Sequence, residues 1–166
     1  MMISEKLNQA MNEQIGHEFG ANMQYLAIAA HFHSRYLTLL ADLFFEQAEE
    51  EKEHAMKFVH YILETSGELR IPQIKAPQPE FESAVDAVEA ALNWEMEVTR
   101  QINNLMDIAV SEKDYLARGM LQWFVDEQLE EINKMDQLLS LIRRAGENNL
   151  LMVEAYLIHT NRGDED

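Results

Sequence analysis

Glu51 and His54 stand three residues apart, so a helix would present a carboxylate and an imidazole on the same side of one turn. Glu18, Glu95 and Glu131 lie far from them in the chain but in the same kind of place, within a row of apolar residues at spacings of three and four. One face carries Leu7, Gln14, Ala21, Ile28 and Met11, Glu18, Tyr25, Phe32. A second carries Leu40, Gln47, His54, Tyr61 and Phe44, Glu51, Phe58. Val85, Leu92, Thr99, Met106 with Val88, Glu95, Ile102 make a third. Leu121, Gln128, Met135, Ile142 with Ala117, Phe124, Glu131, Leu138 make a fourth. Unpaired carboxylates in a core each cost several kcal/mol, against a total stability of roughly 5–15 kcal/mol. Shared protons offset part of this by raising pKa values; two divalent cations would neutralise four carboxylates outright. Oxygen ligands with one imidazole suit iron or manganese better than a thiolate-loving metal. Two such ions about 3.5–4 Å apart can bind O2 between them. The chemistry these residues point to is that of a di-metal oxidase centre.

For the acids to meet, the four rows must be the inner faces of helices packed side by side. Ser4 is placed to cap a first helix over 4–33, and a short break leads to a second over 37–66, stopped by Gly67. All three prolines, Pro72, Pro77 and Pro79, fall in one loop. A third helix is expected over 80–109 and a fourth, capped by Ser111, over 112–145. A short fifth covers 148–160, and the tail 161–166 should fray. Each long helix is about 40 Å at 1.5 Å per residue. The proline loop can span about 45 Å when extended, enough to return along a whole helix. The expectation is one all-α domain over 1–166, a four-helix bundle with one long crossover between helices two and three and a short fifth helix. In an antiparallel bundle the helix midpoints share one level, and each glutamate lies near the middle of its helix.

Composition narrows the partners. Thirteen Lys plus Arg against thirty Asp plus Glu leave a charge of -17, which argues against nucleic acid or an anionic membrane surface. The absence of Cys excludes disulfides, thiolate metal sites and cysteine nucleophiles. No basic-then-apolar segment opens the chain and no run of eighteen apolar residues occurs, so a soluble cytoplasmic protein is expected. His17, His31, His33, His60 and His159 have no ligand partners at helical spacing; His31 and His33, two apart near a helix end, cannot share a helical face and are read as surface residues. Gly16 and Gly20 imply a close backbone approach to the first helix. In the run Glu49-Glu50-Glu51, steps of 100° turn only Glu51 to the core, leaving Glu50 to face the other side of the wall. Leu150, Leu151, Val153, Leu157 and Ile158 exceed what a short terminal helix can bury alone, which points to a subunit contact.

Glu51-x-x-His54, with Glu18, Glu95 and Gln128-x-x-Glu131, resembles the non-haem bacterial ferritins, and the similarity runs the length of the chain, including 14–29, 47–57 and 121–131. The resemblance implies a ferritin-like bundle with one iron site from Glu18, Glu51 and His54 and a second from Glu51, Glu95 and Glu131, with Gln128 nearby. It implies a tyrosine beside the centre, Tyr25, a tryptophan, Trp123, and a third iron site on Glu50, Glu127 and Glu130. It also implies iron storage, ferroxidase activity on Fe2+ with O2 or H2O2, and a 24-subunit hollow shell. Departures are as informative. Lys134 stands where bacterioferritins carry a second histidine, and Lys52 where they place the haem-ligating methionine, so no haem is expected. Arg118 and Leu121 occupy the positions that are acidic in the three-fold pores of animal ferritins, so no channel residues are assigned. Two rivals stand beside this: another di-metal oxidase or peroxidase on the same bundle, disfavoured by the lack of Cys pairs, and a non-catalytic shell subunit whose polar layer is closed by hydrogen bonds and protons.

Overall fold

The computed structural model describes residues 2–161. It contains α1 (Glu5–His33), α2 (Thr38–Glu64), α3 (Ala84–Glu112), α4 (Tyr115–Ala145) and α5 (Leu150–Asn161), with a 3-10 turn at Glu147–Asn149 before α5. There is no strand among the described residues. α1 packs along α2 and α3 along α4, and α1 also lies against α3, so the expected four-helix bundle with a long crossover and a short fifth helix is what forms. No described helix is long and apolar enough to cross a membrane. The rest of the tail expected to fray, 162–166, lies outside the described residues.

Local signals set most helix ends. Ser4 Oγ accepts from Leu7 N–H at 3.0 Å, capping α1 as expected. α2 stops because Ser66 turns left-handed (φ 57), not because of a flexible glycine. Gly67 is there for space: a Cβ would overlap Asn8 Oδ1 and come within 3.0 Å of Ile3 Cγ2. α3 begins at Ala84 rather than near 80, after the last prolines, with Ser83 Oγ accepting from Asp86 N–H at 3.0 Å. It runs past 109 to Glu112, where Lys113 (φ 57) ends it. Asp114, not Ser111, therefore caps α4, accepting from Ala117 N–H at 2.9 Å. Ser111 sits inside the last turn of α3 and donates to Ile108 O at 2.8 Å.

The crossover lies along α1. Asn8 and Asn12 donate to Glu68 O at 3.0 and 2.9 Å, and Gln24 exchanges two hydrogen bonds with the backbone of Gln78. Between them, a Cβ on Gly16 would come within 2.5 Å of Pro72 Cγ and one on Gly20 within 3.1 Å of Trp94 Cζ2. The close approach expected at these glycines is thus made by a proline ring and an indole. The far end of the crossover covers His31, which is buried with its ring edge-on to Phe32 and Phe81 at 5.3 and 5.5 Å. That corrects its reading as a surface residue; His17, His33, His60 and His159 are exposed. α5 docks through buried Leu150 and Val153 and leaves Leu151, Met152, Tyr156 and Ile158 exposed.

Candidate metal centre

The bundle interior consists of two separate apolar clusters. One is built around Tyr25, Phe32, Phe44 and Ile142, the other around Leu7, Ile15, Phe58 and Phe124. Between them lies a polar waist. Glu18, Glu51, Glu95 and Glu131 are 0%, 1%, 1% and 2% exposed, and His54 is buried beside them. The four helices thus bring their acids to one level. One ligand atom each of Glu18, Glu51 and His54 lies within 4.8 Å of the others, and the same holds for Glu51, Glu95 and Glu131. Glu51 belongs to both groups.

Hydrogen bonds in the waist satisfy some of the oxygens. Gln14 Nε2 donates to Glu18 Oε1 at 2.8 Å, Gln47 Nε2 donates to Glu131 Oε2, and Tyr25 Oη donates to Glu95 Oε1. Gln128 Nε2 reaches Glu95 Oε2 at 3.1 Å and Thr99 Oγ1 at 3.2 Å. His54 Nδ1 lies 3.2 Å from Glu51 Oε2. As carboxylates, Glu18 Oε2 and Glu51 Oε1 are buried with no donor, which is costly unless a proton on Glu18 links the two acids. Burial is the largest cause raising the pKa of all four acids. Repulsion from Glu51 adds to it at Glu18, and from Glu95 at Glu51. Bonds from Tyr25 and Gln128 oppose it at Glu95. Glu131 is raised to about 8, with Lys134 opposing burial. Without metal, the waist holds protons that ordinary carboxylates have lost by neutral pH. Orphaned oxygens from two helices, with an imidazole at the same point, fit a pair of divalent cations.

A third group borders the waist. Glu50, Glu127 and Glu131 each offer an oxygen within 4.8 Å of the others, and Glu127 Oε1 is 3.9 Å from His54 Nε2. Glu130, expected in this group, is exposed and its oxygens lie outside this cluster, which Glu131 joins from the next position of the helix. Trp123 stands edge-on to His54 at 5.4 Å, with Lys57 Nζ 4.2 Å above the indole. Gln14, Gln47 and Thr99 take part without having been singled out as site residues. Their signal was a polar residue inside an apolar row.

A long-crossover helical bundle with acids from four helices meeting at its waist defines the class. The model of the Ferritin-like domain family matches residues 8–145. Ferritin BfrB of Mycolicibacterium smegmatis is 39% identical over 155 residues, covering 93% of this chain and 85% of its own length. The bacterial non-heme ferritin of Staphylococcus aureus is 34% identical over 148 residues, 89% of each chain. Among solved structures, a humanised archaeal ferritin superposes with a TM-score of 0.90 at 35% identity, covering 93% of this chain and 95% of that one. An open-pore ferritin of the hyperthermophilic archaeon Archaeoglobus fulgidus gives 0.90 at 33% identity, covering 93% and 97%. The chain belongs to the ferritin family, among its bacterial members.

Proposed function

We propose that this chain is an iron-storage ferritin whose waist is a ferroxidase centre. Glu18, Glu51 and His54 bind one Fe2+, and Glu51, Glu95 and Glu131 bind the second, with Glu51 shared. The observation that carries this is the convergence of four buried acids and His54 into two three-residue groups that share Glu51. Two Fe2+ give up one electron each. With O2 as acceptor, two protons and those electrons yield H2O2; with H2O2 and two protons they yield two waters. The raised acids lose their protons as Fe2+ binds. Tyr25 and Gln128 orient Glu95, and Gln14 orients Glu18 through its amide. The ferric product is stored in the cavity of a cytoplasmic shell of 24 copies, to which the exposed side of α5 contributes a contact.

Stopped-flow mixing of the metal-free protein with Fe2+ and either O2 or H2O2 tests this. A fast phase saturating near two Fe2+ per chain is expected. Glu18→Ala and Glu131→Ala should each abolish it; wild-type rates in those variants would refute the assignment.

A further inference from the structure

The outer acid group already has a cation beside it. Lys134 Nζ lies 2.6 Å from Gln47 Oε1 and 3.5 Å from Glu50 Oε2, with its side chain 40% exposed. An ammonium donates and cannot accept. Gln47 must therefore turn its oxygen to Lys134 and its amide N–H inward, where it donates to Glu131 Oε2. Glu131 is the acid common to the waist and the outer group. Lys134 thus touches both from one side: it sets a positive charge against Glu50 and fixes the face that Gln47 shows to Glu131. The acids it acts on are Glu50, Glu131 and, within the waist, Glu95; the other basic group at the outer cluster is His54, 3.9 Å from Glu127.

Taking the waist as the metal centre proposed above, we propose that Lys134 is a tethered counter-cation that weakens divalent metal binding at Glu50, Glu127 and Glu131 while holding Gln47 as a donor to Glu131. An ion settling between Glu50 and Glu131 must displace the ammonium from Glu50 and then sit near its charge. Neutralising Lys134 removes that repulsion. It also frees the Gln47 amide to rotate, so that its oxygen becomes available as a neutral ligand. Glu18 and His54, on the far side of Glu51, make no contact with Lys134, so their metal site is unaffected. Lys134 is a positioning residue that makes the outer site the last to fill.

The test is calorimetric titration of the metal-free assembled protein with Zn2+, which is redox-inert, for wild type, Lys134→Gln and Lys134→Arg. The side chain is partly exposed, so all three should fold alike, and melting curves check this. Wild type should show two tight sites per chain and a weaker third. Lys134→Gln should tighten the third roughly five- to tenfold and leave the site of Glu18, Glu51 and His54 unchanged, and the gain should shrink at high salt. Lys134→Arg, which keeps the charge, should behave as wild type. Two tight sites with an unchanged third in Lys134→Gln would overturn the role of Lys134 alone, as would an equal gain in Lys134→Arg. Absence of the two tight sites in wild type would overturn the metal-centre assignment and this proposal with it.

Discussion

Two sets of acids sit in this bundle, with opposite fates. At the α5 junction, Glu154 is 9% exposed and accepts from Leu39 N–H and Leu40 N–H at 2.8 and 3.1 Å, at the start of α2. Glu147, at the surface, likewise accepts from Ala84 N–H and Val85 N–H at the start of α3, at 3.2 and 3.1 Å. Helix N-termini have spare N–H donors and the positive end of the macrodipole, so an acid is welcome there. Glu18, Glu51, Glu95 and Glu131 sit in mid-helix, where every backbone donor is already used within the helix. Side-chain amides and one phenol satisfy part of the layer, and two oxygens, on Glu18 and Glu51, have no donor built into the protein. Burial alone does not decide whether an acid is stable. What decides it is whether donors are built in or must arrive as protons and metal.

Removing the acid shared by both waist groups separates the two sets most sharply. Glu51→Gln should lower the rate of fast Fe2+ oxidation on the order of 10²–10³-fold. It should also abolish stabilisation by Zn2+, which at a hundredfold excess over Kd is worth about 2.7 kcal/mol per site. The metal-free variant should melt higher than metal-free wild type at pH 8, because a carboxylate that had to be buried is gone. A lower melting point there would mean that the waist is satisfied without metal.

The pH dependence is next in size. Below about pH 4.5 Glu131 is protonated whether folded or not; between there and about 8 only the folded chain keeps the proton. Raising the pH through that window therefore destabilises the metal-free protein, by roughly 2–3 kcal/mol after discounting for relaxation. Glu18, Glu51 and Glu95 push the same way. Thermal melts at pH 5.5 and 8 in chelator should show this loss, and Zn2+ should largely cancel it. A metal-free protein more stable at pH 8 would contradict it.

Smaller effects belong to the satisfied acids and their neighbours. Glu154→Ala strips a cap from α2 and should cost about 1–2 kcal/mol, with no change in metal binding and faster amide exchange in α5. Tyr25→Phe removes one donor from Glu95 and should cost about 1 kcal/mol or less. It should nonetheless slow Fe2+ oxidation, because Glu95 loses its orientation.

The four rows and their central acids were legible because a helix repeats every three to four residues and nothing apolar tolerates a lone carboxylate. Their common level followed from helix lengths and short turns. Helix ends were less legible. Ser111 and Asp114 are both competent caps, and the choice between them falls to Lys113, whose left-handed turn leaves no mark in the pattern. His31 is covered by Phe81 across the crossover, a contact between residues far apart in the chain. That Glu131 also approaches Glu50 and Glu127 is a matter of one step of helix rotation, which a motif carried across from relatives does not resolve. The link from Lys134 through Gln47 to Glu131 joins α4 to α2 and back, and it arises only when the helices pack.

The central claim is that the waist grips two metal ions, and anomalous X-ray diffraction from crystals loaded with Fe2+ without oxygen tests it directly. Two peaks about 3.5–4 Å apart are expected, one among Glu18, Glu51 and His54 and the other among Glu51, Glu95 and Glu131. An empty waist at saturating Fe2+, with its acids still protonated and hydrogen-bonded to one another, would contradict it.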